Sequence, residues 1–170
     1  MTAVRGAHTG VMDHDRLLDI YLDDHHAAAT AFLQVARRAR IANPEGELAA
    51  FLDRLVGELT EERRELERMM RELGHRPNRA KDAFAGAAAQ LGRLKLNGRV
   101  RGYSPLSRVL ELEGLEAGVT GKLALWRSLE ATGRLSEEWP PVLARLHERA
   151  EAQREELERH RVQALRLAFG

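Results

Sequence analysis

Apolar residues recur every three or four positions along four long stretches of this 170-residue chain. That spacing is typical of one face of an α-helix. No stretch shows the sustained alternation of a strand, and Ala, Leu, Glu and Arg, which favour helix, dominate the sequence. The chain is therefore predicted to be all-α.

The first two helices are delimited by capping residues. The spacing predicts one helix over about 14–41 and a second over about 44–73. Asn43 and Pro44 are predicted to open the second helix as N-cap and first helical residue, and Gly74 to end it.

The last two helices are also delimited by capping residues, prolines and a glycine. Ser104 and Pro105 open the third, whose apolar period continues to Gly133. The fourth is opened by Ser136 with the Pro-Pro pair at 140–141, and its period continues almost to the end of the chain. Residues 14–170 are predicted to form one domain after a flexible N-terminus at 1–13.

The connections between the helices differ in length. The two outer joints are only a few residues long, so each predicts an antiparallel hairpin. The middle connection, between 75 and 103, is long and includes a short helical pattern over 78–94. Such a connection is long enough to cross back along the bundle, which predicts that the third helix runs parallel to the second.

Four segments of the sequence follow one another in an order and with a residue pattern similar to those of a known superfamily. They are YLDDHHAAATAF (21–32), LTEERRELERMMRELGHRP (59–77), LGRLKLNGR (91–99) and SPLSRVLELEGLEAGVTGKLALWRSL (104–129). These segments resemble uncharacterised bacterial members of the ferritin-like superfamily, over about residues 15–168. The resemblance implies a ferritin-like four-helix bundle with a long crossover between its second and third helices.

Polar residues interrupt the apolar face of each predicted helix. His25 lies near the centre of the first face, and Glu62 interrupts the second with Arg63 on its flank. Gln153 and Arg154 fill a gap in the apolar series of the fourth helix. These five residues are predicted to meet in a polar layer, because their distances from the helix midpoints place them at similar depths.

The third helix fits this layer less well. Glu113 and Glu116 share a side with its apolar residues. The depth of His25 and Glu62 corresponds to positions 120–121 of the third helix, one turn beyond Glu116.

One interpretation of the layer is a metal centre. Facing carboxylates and imidazoles bind the metals of di-iron and di-manganese bundles. The candidate ligands for iron or manganese are His25, Glu62, Glu113 and Glu116.

The ligand pattern that the resemblance implies is incomplete. Metal-binding members of the superfamily carry Glu on the first and third helices and Glu-x-x-His on the second and fourth. Here the Glu-x-x-His spacing occurs only at Glu72–His75, where Gly74 marks the predicted end of the second helix. The fourth helix has Gln153 and Arg154 at the positions where ligands are expected. An arginine beside the site also opposes a dication.

The other interpretation is a buried polar network that fixes the register of the helices. In it Glu62 pairs with Arg63 or Arg154, and His25 bonds to a carboxylate. The remaining histidines are expected at the surface: His8, His14, His26, His75, His147 and His160.

The expected function is that of a ferritin-like bundle without a complete di-metal site, whose polar layer is structural or binds a metal weakly. An oxidase or ferroxidase with a di-iron or di-manganese centre is the alternative. A second alternative is anion or nucleic-acid binding by basic residues around the crossover: Arg76, Arg79, Lys81, Arg93, Lys95, Arg99 and Arg101. Nucleic acid is not the expected partner, because such charge runs are usually solvated loops.

Three glycines share one side of the third helix: Gly114, Gly118 and Gly121. Glycine disfavours helix, so a close contact is expected to compensate. Packing inside the bundle, against alanines of the first helix, is favoured over the seam of a homodimer.

Composition excludes several other classes. The chain has no cysteine, which excludes disulfides and thiol catalysis, and its formal charge of +1 gives no overall field for an anionic partner. A membrane span needs about eighteen consecutive apolar residues, and the sequence has no such run. The first dozen residues lack the apolar stretch of a secretory signal, so a cytoplasmic location is expected.

Overall fold

A computed structural model describes residues 14–76 and 103–170 of the chain. All regular secondary structure in these two ranges is helical, which confirms the all-α prediction for them. The helices are α1 (His14–Ala42), α2 (Gly46–Glu72), α3 (Pro105–Thr132) and α4 (Trp139–Phe169).

The ends of α3 follow the predicted capping chemistry. The Ser104 hydroxyl accepts a hydrogen bond from the Ser107 amide at 3.1 Å, and the Ser104 amide donates to the Ser107 hydroxyl at 3.3 Å. This reciprocal pair satisfies amides that a helix N-terminus leaves unpaired. Gly133 ends the helix in the left-handed region with φ +60°, where glycine is favoured.

The start of α2 differs from the prediction. The helix begins at Gly46, and Asn43 is buried before it. The Asn43 amide donates to the Tyr103 hydroxyl at 2.9 Å and accepts from Arg108 Nε at 2.7 Å. The prediction that Asn43 caps α2 and Pro44 opens it is wrong, because this side chain joins the end of α1 to the start of α3.

Two contacts fix the relative direction of α1 and α3. Near the start of α1, Tyr21 donates a hydrogen bond to Ser128, near the end of α3, at 3.0 Å. Near the end of α1, Arg38 pairs with Glu111, near the start of α3, at 3.1 Å. The two helices are therefore antiparallel.

The ring of His75, just beyond α2, contacts Asp19 and Asp23 of α1, each at 3.0 Å. The end of α2 thus meets the start of α1, and these helices are also antiparallel. It follows that α2 and α3 run in the same direction, as the connection lengths predict.

The fourth helix completes a square bundle. It packs antiparallel to α3, with Arg161 3.7 Å from Glu116 at one end and Arg127 3.8 Å from Glu151 nearer the other. It also packs on α2, while α1 packs on α2 and α3. The helices α1 and α4 therefore lie on one diagonal of the bundle, and α2 and α3 on the other.

Two apolar clusters form the core. The first cluster centres on Leu33, Leu52, Leu55, Leu112, Leu115 and Leu157. The second cluster centres on Leu22, Leu66, Met69, Trp126, Trp139 and Leu146. Along α2 the polar residue Glu62 lies between the two clusters, after Leu59 of the first and before Leu66 of the second. Along α4 Gln153 lies within the first cluster, between Ala150 and Leu157.

Gly118 is the glycine that permits a close helix approach. A Cβ atom built at Gly118 would lie 2.4 Å from the ring of Phe32 on α1, whereas at Gly114 and Gly121 it would meet open space. The expected contact with α1 is therefore present at one of the three glycines, and its partner is an aromatic ring instead of alanines. The dimer seam stays a prediction.

Some predicted features fall outside the described ranges. They are the flexible N-terminus at 1–13 and the short helix over 78–94. Among the four described helices, none has the length and apolar character needed to cross a membrane.

Candidate functional site

Three polar side chains meet where α2 passes from the first apolar cluster to the second. The Lys122 ammonium donates to Glu62 Oε2 at 2.6 Å and also to the side-chain oxygen of Gln153. Gln153 Nε2 donates to Glu62 Oε1 at 3.1 Å, so the three residues form a closed ring of hydrogen bonds. From here on, the name polar layer refers to the three residues that meet in the structure, Glu62, Lys122 and Gln153, and not to the five predicted ones.

The polar layer lies deep in the bundle. The side chains of Glu62 and Lys122 are only 3% and 11% exposed, and Gln153 is buried. Burial raises the pKa of the Glu62 carboxyl and lowers the pKa of the Lys122 amine, because each charge loses water. The opposite charge of the partner counteracts both shifts, which makes each residue depend on the other.

Gln153 forms hydrogen bonds with both the ammonium of Lys122 and the carboxylate of Glu62, because its side-chain amide has an acceptor and a donor. Its oxygen accepts from the ammonium, and its nitrogen donates to Glu62 and, at 2.7 Å, to Glu58 Oε2. A carboxylate at this position could not donate to its acidic neighbours, and an arginine could not accept from the ammonium. A glutamine is therefore the residue that completes this layer.

A cavity of about 230 Å³ adjoins the polar layer and lies among α1, α2 and α3. Its walls are mostly apolar. The apolar side chains that line it are Ala28, Ala29, Phe32, Leu59, Leu66, Ala117, Leu125 and Trp126. Gly121 contributes bare backbone with open space beside it, whereas the ring of Phe32 packs against Gly118.

The polar groups of the cavity are mainly nitrogen donors. His25 and Arg63 line it together with Glu62 and Lys122. Burial lowers the pKa of the His25 imidazole, which favours the neutral form of this ring. Within the part of the chain that the structure describes, the buried indole Nε1 of Trp126 has no hydrogen-bond partner.

The predicted pairing of Glu62 is wrong. Arg63 has its nearest carboxylate at Glu67, 3.8 Å away, and the exposed Arg154 pairs with Glu151 at 2.8 Å. Neither arginine reaches Glu62, because the ammonium of Lys122 and the amide of Gln153 already hold its two oxygens.

His25 and Glu62 lie on the same cavity, as their common depth predicts, but they do not form a hydrogen bond between themselves in the described structure. The expected bond from His25 to a carboxylate is replaced by an edge contact with the ring of Tyr21, at 4.5 Å between centroids.

Glu113 and Glu116 do not join the polar layer. Glu113 is exposed and Glu116 half-buried, and both lie 3.7 Å from the guanidinium of Arg161 on α4. The side of α3 that carries them therefore faces α4 near the surface. Neither residue lines the cavity with His25 and Glu62, and their inclusion among the candidate metal ligands stays a prediction.

Two histidines that are expected at the surface are buried. His26 lies against α2, with Nε2 3.0 Å from Glu67 Oε1. His160 packs on the ring of Phe51, and burial lowers its pKa. Both positions continue the buried series of their helices, four residues after Leu22 and three after Leu157 respectively.

The basic residues around the crossover remain largely untested. Arg76 is exposed at the end of the first described range. The others lie outside the described residues: Arg79, Lys81, Arg93, Lys95, Arg99 and Arg101. Anion or nucleic-acid binding by this segment stays a prediction.

Sequence reasoning missed Lys122, although two signals point to it. The chain has only three lysines, at 81, 95 and 122, amid many arginines. Position 122 also directly follows the level at which the third helix is predicted to meet His25 and Glu62. A lysine at that depth can reach the layer because its flexible four-carbon stem carries the charge inward.

The donor set of the layer does not suit a di-metal centre. No group of three or more His, Asp or Glu side chains in the two described ranges is arranged to hold a metal ion. The cation beside Glu62 is an ammonium, and a dication there would meet its repulsion. Iron or manganese would therefore have to displace an ion pair that is already complete.

Comparisons with known proteins provide no family assignment. No protein-family model, curated protein or solved structure matches the chain. The function must therefore be inferred from the geometry of the polar layer and the cavity.

Removing the Glu62 carboxylate should destabilise the protein strongly. In Glu62→Ala the buried ammonium of Lys122 loses its counter-charge, and the loss of one partner of a buried pair costs about 3–5 kcal/mol. The matched control is Glu61→Ala, whose exposed carboxylate pairs with Arg149 at 3.0 Å and contributes less than about 1 kcal/mol. Urea and thermal unfolding of both variants measure the difference, and coincident melts would contradict a buried network at Glu62.

Proposed function

We propose that this chain is a non-catalytic bundle of the ferritin-like type that binds a small apolar molecule in its core. The observation that carries the proposal is the apolar cavity of about 230 Å³ beside the polar layer. An engineered apolar cavity of about 150 Å³ holds benzene. The larger space here suits an aromatic ring with a short substituent.

The helix directions support the ferritin-like part of the proposal. The parallel pair α2 and α3, each antiparallel to its packed neighbours, is the arrangement of a bundle with one long crossover. The polar layer also lies in mid-bundle, where the metal-binding members implied by the resemblance hold their metals.

The ion pair supports a structural role for the layer. The ammonium of Lys122 compensates the charge of Glu62 in the core, which is what a bound cation would otherwise do. Gln153 satisfies the remaining hydrogen-bonding capacity of both groups. A layer completed in this way needs no metal to be stable, which favours a binding protein over a di-iron or di-manganese oxidase.

Metal analysis tests the choice between these two functions. Protein purified without chelator should contain fewer than one iron or manganese ion per chain, because Lys122 occupies the cation position beside Glu62. Addition of ferrous iron in air should give no protein-dependent oxidation. Two tightly bound metal ions per chain, or protein-dependent oxidation of ferrous iron, would establish the oxidase instead.

Filling the cavity tests the binding function. Benzene should raise the melting temperature of the protein, because a ligand that binds the folded state alone stabilises it. Gly121 lines the cavity and has open space beyond it, so Gly121→Leu should fill the cavity and remove the benzene effect.

The matched control is Gly114→Leu, at a glycine of the same helix that has open space around it but does not line the cavity. This variant should keep the full response to benzene. No response in the unmodified protein, or an equal response in all three proteins, would contradict binding in the cavity.

A further inference from the structure

We infer that Lys122 captures a small apolar aldehyde in the cavity by forming a Schiff base with it. This inference rests on the proposed binding function and names the chemical class of the ligand. The capture is stoichiometric, with one aldehyde per chain, so the bundle stays non-catalytic. Three features support it: an amine in the cavity wall, a proton acceptor bonded to that amine, and apolar walls around both.

Lys122 provides the amine of the cavity wall. It lines the cavity together with Glu62, and the two side chains are joined by a hydrogen bond, so their ion pair forms part of that wall. The described ranges contain no other lysine, since the remaining two are at positions 81 and 95. Lysines that are buried in apolar pockets are the ones that form Schiff bases with carbonyl compounds.

The amine must lose a proton before it can attack a carbonyl carbon, and Glu62 is placed to take it. Glu62 Oε2 accepts a hydrogen bond from the Lys122 ammonium at 2.6 Å. Burial lowers the pKa of the Lys122 amine and raises the pKa of the Glu62 carboxyl, and in both residues this effect outweighs the opposite charge of the partner. Proton transfer from Lys122 to Glu62 is therefore easier here than between the same groups in water.

The reaction needs only the aldehyde and the two side chains. The neutral amine of Lys122 adds to the carbonyl carbon and forms the C–N bond, while a proton passes from the nitrogen to the carbonyl oxygen and makes it a hydroxyl. The hydroxyl then takes the proton held by Glu62 and leaves as water, so the C–O bond breaks and a C=N bond forms. The products are a protonated Schiff base on Lys122, a carboxylate on Glu62 and one water molecule.

The product preserves the charges of the polar layer. The protonated Schiff base carries the same single positive charge as the ammonium and faces the same carboxylate, so neither buried charge loses its partner. Its nitrogen has one N–H, which can keep the bond to Glu62 and gives up the bond to Gln153. Gln153 retains its two donor bonds, to Glu58 and to Glu62.

The walls of the cavity favour an apolar aldehyde. Side chains such as Phe32 and Trp126 surround the space, and they suit an apolar body. The nitrogen of Lys122 already contacts Glu62 and Gln153, so a carbonyl carbon with one substituent fits beside it more easily than a ketone carbon with two. An arylalkanal with a short chain meets both conditions.

Reductive trapping tests the inference. Folded protein is incubated with 3-phenylpropanal and cyanoborohydride, which reduces a Schiff base to a stable secondary amine, and mass spectrometry of peptides locates the label. The chain has only Lys81, Lys95 and Lys122, so all three lysines are compared within one sample. Label at Lys122 should exceed label at either other lysine at least about tenfold, because binding holds the aldehyde beside one amine. In protein unfolded by guanidinium chloride this preference should disappear.

Variants show whether the label depends on the cavity. Gly121→Leu should fill the cavity and reduce the label at Lys122 at least about tenfold, whereas the matched control Gly114→Leu should keep it. Lys122→Arg keeps a cation beside Glu62 but has no amine for a Schiff base, so it should lose the preferred site. Mapping the label on the unmodified chain requires no change at position 122, so the test stands even if Lys122→Arg does not fold.

The outcomes separate the inference from the proposed function. Equal labelling of the three lysines, in a protein whose melting temperature benzene raises, would overturn the Schiff base and leave the proposed function intact. Equal labelling together with no response to benzene would overturn the proposed function as well. Preferred label at Lys122 that Gly121→Leu leaves unchanged would overturn capture within the cavity, whereas its loss in that variant alone would support it.

Discussion

The architecture depends on a buried ion pair that crosses the diagonal of the bundle. Lys122 on α3 and Glu62 on α2 are joined by a 2.6 Å hydrogen bond, although their helices do not pack directly on one another. Gln153 connects the same pair to α4. Burying two charges carries a large desolvation cost, so such a pair contributes register and specificity more than net stability.

The ion pair also forms part of the cavity wall. Glu62 and Lys122 line the cavity, and each is held by the other and by Gln153. On α3, Gly118 brings the ring of Phe32 close, whereas Gly121 leaves the space next to it open. The wall of the cavity therefore combines the charged edge of the polar layer with apolar side chains.

The sequence predicts the helices and their directions better than the polar contacts between them. Helix directions follow from connection lengths, and the ends of α3 follow from Ser104, Pro105 and Gly133, because those features act locally. The start of α2 does not follow from Asn43 and Pro44. Glu62 and Gln153 are identified by their places in apolar series. Lys122 is not, because a helical projection describes where Cβ points, while a long side chain can carry its charge to a different place. His26 is misassigned for another reason: α1 packs on two helices, so its buried arc is wider than a single apolar stripe.

A double-mutant cycle between Glu62 and Lys122 measures the central interaction directly. Glu62→Gln and Lys122→Met each leave one buried group without its charged partner, so each alone should destabilise the fold. The double variant replaces the pair by neutral side chains of similar size and should recover much of that loss, with a coupling energy of about 2 kcal/mol or more in urea unfolding. If the two effects instead add within about 0.5 kcal/mol, the pair does not act as a unit and the account of the bundle core is wrong.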